Sequence, residues 1–139
     1  MNKQQLLKET TDFLIAQGIK NPAIGIVLGT GLNQFIHEID IEREIAYSDI
    51  PHFPKATVEF HSGKLVFGTL SGKKVIVMSG RFHLYEGYNQ WEVTYGIRIM
   101  HQLGISSLLI SNAAGAINLS YQKGDLMLIE DHINLQGGS

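Results

Sequence analysis

Ile24-Gly-Ile-Val-Leu-Gly-Thr-Gly31 is the stretch whose reading decides the fold. Ile24 to Leu28 is an apolar run of strand length, and it ends abruptly in Gly29-Thr30-Gly31. A buried strand running into a glycine loop is the usual way an α/β sheet brings backbone to a ligand. Working outward, Lys64-Leu-Val-Phe-Gly-Thr-Leu70 and Lys74-Val-Ile-Val-Met78 flank Ser71-Gly72, which predicts a β-hairpin between His61 and Gly80. Before the first strand, Gln4 to Gln17 sets Leu6, Leu7, Phe13 and Leu14 at helical spacing, with Gly18 as a stop and Asn21-Pro22 as a turn. Asn89 followed by Glu92 predicts a capped helix to about Leu103, burying Val93, Ile97, Met100 and Leu103, and Gly104 ends it. Ile105 to Ser111 reads as another strand, ended by Asn112-Ala-Ala-Gly115, and Asp125-Leu-Met-Leu-Ile129 is strand-like before Asp131-His-Ile-Asn-Leu135.

Composition sets the boundaries of function. The chain has 139 residues, 44% hydrophobic and 17% charged, enough for one compact domain with a buried core. Net charge is -2, with no basic excess for a nucleic-acid backbone and no polybasic stretch for anionic lipid. An anion must therefore be held by a few placed groups. Cysteine is absent, which excludes disulfides, thiolate metal sites and a cysteine nucleophile. No signal-peptide run or membrane-length apolar stretch is present, so a cytoplasmic α/β protein is expected. Glycine, at 15 residues, is enriched over the usual ~7% and gathers at the ends of apolar runs.

The segment Arg81-Phe-His-Leu-Tyr-Glu-Gly-Tyr88 carries the most chemistry. If it is extended, Arg81, His83 and Tyr85 share one side while Phe82 and Leu84 anchor the other. A guanidinium fork, an imidazole and a phenol together suit a phosphate or a sugar hydroxyl, although composition alone allows an ordinary surface loop. Glu86 is placed to orient His83 or hold the loop. Gly29-Thr30-Gly31 offers backbone N–H groups and a hydroxyl as an anion cradle, or simply a tight turn. It is neither a P-loop, since no Gly-Lys-Ser/Thr follows, nor a dinucleotide fingerprint, since Gln34 takes the third glycine's place. His37, His52, His61, His101 and His132 show no zinc spacing, so no metal is expected. No Gly-x-Ser-x-Gly elbow points to a hydrolase.

Together these segments resemble the trimeric purine nucleoside phosphorylases. The resemblance runs from Ile24 to Gly138 and rests on Leu28-Gly-Thr-Gly-Leu32, His61-Ser-Gly63, Gly80-Arg-Phe-His-Leu-Tyr-Glu-Gly-Tyr88, Asn112-Ala-Ala-Gly115 and Gly124-Asp125 leading to Asp131-His-Ile-Asn-Leu135, in the family's order. It implies a three-layer α/β fold with a mixed β-sheet flanked by helices, incomplete at its C-terminal side. Residues 1–139 are expected to be the N-terminal portion of a single domain, because the chain closes at Gln136-Gly-Gly-Ser139 directly after a motif.

The implied reaction is reversible phosphorolysis of purine (deoxy)ribonucleosides to free base and (deoxy)ribose 1-phosphate, in purine salvage. The implied phosphate site comprises Thr30 (serine in many members), His61, Arg81, His83 and the backbone N–H of Ala113. Tyr85 and His83 would meet the ribose, and Glu86 would be a supporting carboxylate. The Glu and Asn that hold the purine in this family have no counterpart here, so base-binding residues are expected to be absent from this chain. No cofactor or metal is implied, inorganic phosphate being a co-substrate. The implied partners are a purine nucleoside, phosphate and two further copies in a homotrimer, with no nucleic acid or membrane. A methylthioadenosine phosphorylase is the alternative within the same chemistry, and a non-catalytic phosphate-binding or assembly module is the alternative outside it.

Overall fold

Ile24–Val27 forms β1, an inner strand of the sheet hydrogen-bonded on both sides. The computed structural model describes residues 2–29, 31–54 and 63–136, so the expected site residues Thr30 and His61 lie outside the described residues. In chain order the elements are α1 (Lys3–Ala16), β1, β2 (Asp40–Ala46), β3 (Lys64–Leu70), β4 (Lys73–Ser79), α2 (Gln90–Gln102) and β5 (Ser107–Ile110). The sheet is five-stranded in the order β2-β3-β4-β1-β5. β1 runs parallel to β4 and β5, while β3 pairs antiparallel with both β2 and β4, so the sheet is mixed.

Alternation along the strands makes two apolar faces. Val27, Leu65, Phe67, Ile76 and Met78 point to one side, where α1 and α2 bring Leu7, Leu14, Tyr95, Ile99 and Met100. Ile26, Leu28, Val66, Val75 and Val77 point to the other, covered by Ile36 of the 3-10 segment Asn33–Glu38 and by Ile39 just after it. The hairpin forms as its sequence predicts: Ser71 (φ 47°) and Gly72 (φ 76°) both adopt positive φ, the turn geometry that matches strand twist. The helix stops at Gly18 and Gly104 and the reciprocal Asn89–Glu92 cap also form as read.

Three features differ from the sequence reading. β2 was not foreseen: five consecutive residues are exposed on this edge strand, and charged Asp40, Glu42, Arg43 and Glu44 hide the alternation. A register shift between Ile41 and Arg43 disrupts the period further. On α2, the buried stripe is Tyr95, Gly96, Ile99 and Met100, with Leu103 buried at its end, while Val93 and Ile97 are only partly buried. The cause is Gly96, where an added Cβ would lie 2.5 Å from Met78 Sδ, so the helix turns its bare backbone onto β4. Finally, Asp125–Ile129 is not a strand. Leu126 and Leu128 are about fully exposed (101% and 96%), and among the described residues no strand lies alongside to complete a ladder.

Candidate functional site

The carboxyl ends of the three parallel strands open toward one side of the molecule, the place where open α/β sheets bind ligands. Gly29 follows β1, Gly80-Arg81 follows β4, and Ser111 to Ala113 follow β5. Ser111 ties the three together. Its hydroxyl accepts from Gly29 N–H at 2.8 Å, its carbonyl accepts from Arg81 Nη1 at 2.6 Å, and its own N–H donates to the Val27 carbonyl at 3.2 Å. The Gly29 N–H expected to face an anion is therefore already engaged. An added Cβ at Gly29 would lie 2.8 Å from the Ser111 carbonyl oxygen, so only glycine permits this approach.

Arg81 is half-buried and meets two neutral acceptors: Nη1 donates to Ser111 O, and Nε donates to His83 Nε2 at 3.1 Å. Because His83 Nε2 accepts from a guanidinium, its proton sits on Nδ1, which faces Glu86 Oε2 at 2.8 Å. The same carboxylate oxygen accepts from the His83 backbone N–H at 2.8 Å, and Leu84–Glu86 forms a 3-10 turn beneath it. Arg81, His83 and Glu86 thus form one relay, each fixing the orientation of the next. The extended reading of this segment holds only as far as His83, with Phe82 buried on the opposite side. The turn then carries Tyr85 back over His83, the rings stacking at 4.7 Å, while Tyr85 stays 84% exposed. Ala113 is exposed two residues beyond the Ser111 knot, its carbonyl 3.5 Å from the Asn112 side-chain nitrogen. No grouping of three His, Asp or Glu among the described residues could hold a metal ion.

Residues 23–139 match the family model of the phosphorylase superfamily. The chain belongs to that superfamily. It is 48% identical over 133 residues to purine nucleoside phosphorylase 1 of Geobacillus stearothermophilus, covering 96% of this chain and 48% of the relative. It is 42% identical to the purine nucleoside phosphorylase of Bos taurus, over 95% of this chain and 46% of that one. Isoform 2 of the Schistosoma mansoni enzyme, solved with cytosine and ribose-1-phosphate, superimposes with a TM-score of 0.82 at 42% identity, covering 87% of this chain and 42% of that chain. The chain therefore spans about half the length of the relatives it matches. Among its described residues no helix is long and apolar enough to cross a membrane.

Two residues of this superfamily member escaped the sequence reading. Ser111 looked like the last residue of a strand, and only the pairing of β1 with β5 reveals it as the knot. Tyr47 lay in a stretch with no motif, yet it is 4% exposed and its hydroxyl donates to the Gly80 carbonyl at 2.7 Å. Burial pushes the Tyr47 phenol far above its usual 10, and burial also raises Tyr95. The folded protein keeps these protons while the unfolded chain releases them above pH 10, so the stability they carry is complete below pH 10 and lost as pH climbs past it. Tyr47 alone is expected to steepen the alkaline loss by about 1.4 kcal/mol per pH unit. Urea midpoints measured from pH 8 to 11 check this; a Tyr47→Phe protein with an unchanged alkaline slope refutes it.

Proposed function

We propose that this chain is the phosphate- and ribose-binding portion of a single purine nucleoside phosphorylase domain, acting in reversible phosphorolysis of purine nucleosides. The observation that carries the reading is Arg81: a cationic fork at the carboxyl ends of three parallel strands, held there by the neutral acceptors Ser111 O and His83 Nε2. An oriented guanidinium of this kind is suited to an oxyanion. The names of the relatives, and the ribose-1-phosphate held by the Schistosoma mansoni structure, support the same chemistry.

In this reading Arg81, with Thr30, His61, His83 and the Ala113 N–H, localises phosphate beneath the ribose. Tyr85 and His83 line the sugar, and Glu86 fixes the His83 ring. As the glycosidic bond breaks, its electron pair leaves with the purine and positive charge builds on the ribose ring, as in glycoside cleavage. The phosphate dianion stabilises that charge and one of its oxygens then bonds to the anomeric carbon, giving ribose 1-phosphate. Fixed donors do the positioning, with no cofactor or metal. Recognition of the base falls to residues outside this chain, and 6-oxopurine nucleosides are the expected substrates. A cytoplasmic homotrimer completes the proposal; the exposed ring of Tyr85 is consistent with a neighbouring subunit closing over the sugar.

The test is hypoxanthine release from inosine by the full-length protein with and without phosphate. Release that requires phosphate and yields ribose 1-phosphate in equal amount is expected. Release at the same rate without phosphate, or transfer to no phosphate at all, refutes the proposal.

A further inference from the structure

Tyr47 connects two segments that are far apart in sequence. Its backbone N–H donates to the Gly63 carbonyl at 3.0 Å, and its phenol hydroxyl donates to the Gly80 carbonyl at 2.7 Å. The two glycines lie against each other, since a Cβ added to Gly80 would come 3.2 Å from Gly63 Cα. The Tyr47 ring lies directly over Gly63, where any added Cβ would collide with its Cδ2 and Cε2 edge. On its other sides it packs on Phe53 (4.6 Å between centroids) and Phe82 (5.5 Å). The tyrosine therefore fixes the residue before Arg81 by a hydrogen bond, and Phe82, the residue after it, by ring contact. Gly80 holds φ +99°, the left-handed turn by which the chain leaves β4 and enters the Arg81 segment.

We propose that Tyr47 is a positioning residue of the anion site: through Gly80 and Phe82 it sets the height at which Arg81 presents its guanidinium to phosphate. The inference rests on Arg81 binding phosphate. Burial keeps the phenol protonated, so the donor is present throughout the working pH range. The hydroxyl is the donor that holds the half-buried Gly80 carbonyl, and its loss frees the turn to settle elsewhere. The hydroxyl is hydrogen-bonded to neither Arg81 nor His83, so what it contributes reaches Arg81 through the Gly80 backbone.

The decisive comparison is Tyr47→Phe against Tyr95→Phe in the full-length protein. Tyr95 is as buried (2%), and its hydroxyl meets Thr10 Oγ1 at 2.7 Å and the Leu6 carbonyl at 3.1 Å, ties that belong to α1 and not to the strand ends. Both variants keep the ring and lose one buried hydroxyl, so both are expected to lower the melting temperature. Only Tyr47→Phe is expected to weaken binding of inorganic phosphate, by about fivefold to tenfold in Kd by titration calorimetry. Where turnover is measurable it should raise KM for phosphate by the same factor, leaving KM for inosine within twofold. Equal phosphate Kd in Tyr47→Phe and wild type overturns the inference, as does an equal weakening in both variants. A wild-type protein that binds no phosphate overturns the functional reading and the inference with it, and is told apart by that first titration.

Discussion

Arg81→Ala in the full-length protein is expected to raise the phosphate KM by about a hundredfold to a thousandfold while KM for the nucleoside moves far less. The magnitude follows from the charges involved. A hydrogen bond to an ionised group contributes roughly 1.5–3 kcal/mol, and two such bonds from one fork amount to about 3–4 kcal/mol after partial compensation by water. Each ~1.4 kcal/mol is tenfold in an equilibrium constant. Arg81→Lys should fall between, since it keeps the charge but loses the planar fork and with it the simultaneous hold on His83 Nε2 and Ser111 O. The measurement is initial rate against phosphate at saturating inosine. Near-normal activity of Arg81→Ala at low phosphate would sink the assignment of the anion site to this residue.

The second large effect is expected from the smallest possible change. Gly29→Ala adds one methyl where the nearest atoms are the Ser111 carbonyl oxygen at 2.8 Å, its carbon at 3.1 Å and the hydroxyl at 3.2 Å. Two of these are backbone, so no rotamer change makes room. Relief requires β1 and β5 to part at their carboxyl ends, which loosens the Gly29–Ser111 and Ser111–Val27 hydrogen bonds. Overpacking of this kind costs about 1–3 kcal/mol. The same displacement moves the carbonyl on which Arg81 rests, so phosphate affinity should fall together with stability. Thermal melts with and without phosphate check both. A Gly29→Ala protein that melts at the wild-type temperature and gains the usual increment from phosphate shows that the strand ends are free to separate.

What the sequence disclosed and what it hid divide along a physical line. Local codes were legible: a turn pair with positive φ at Ser71-Gly72, the reciprocal Asn89–Glu92 cap, and glycine stops after both helices need only neighbours in the chain. The Arg81-to-Glu86 segment was legible because several kinds of polar group were crowded into six residues. Contacts between distant segments were not. Ser111 acquires its role from residues between 30 and 84 positions earlier, and Tyr47 from one 33 positions later. The α2 face was misjudged because Gly96, which no hydrophobic pattern counts as core, makes the closest approach to the sheet. Asp125–Ile129 has the composition of a strand, but composition supplies only half of a ladder, and among the described residues the other half is not there.

The β3–β4 hairpin has a practical use. Its tip at Ser71-Gly72 stands at one end of β4 and Arg81 just past the other, seven residues of strand between them, or roughly 20 Å at ~3.3 Å per residue. Both tip residues are exposed, and Ser71 already carries a side chain at φ 47°, so a cysteine in its place exchanges only a hydroxyl for a thiol. A fluorophore attached there through an introduced cysteine would be chemically unique in a chain that has none. It would sit at the start of the strand that leads to Arg81, yet roughly 20 Å from that side chain's segment. The fold thus offers a handle for reporting ligand-driven motion at the strand ends without disturbing them.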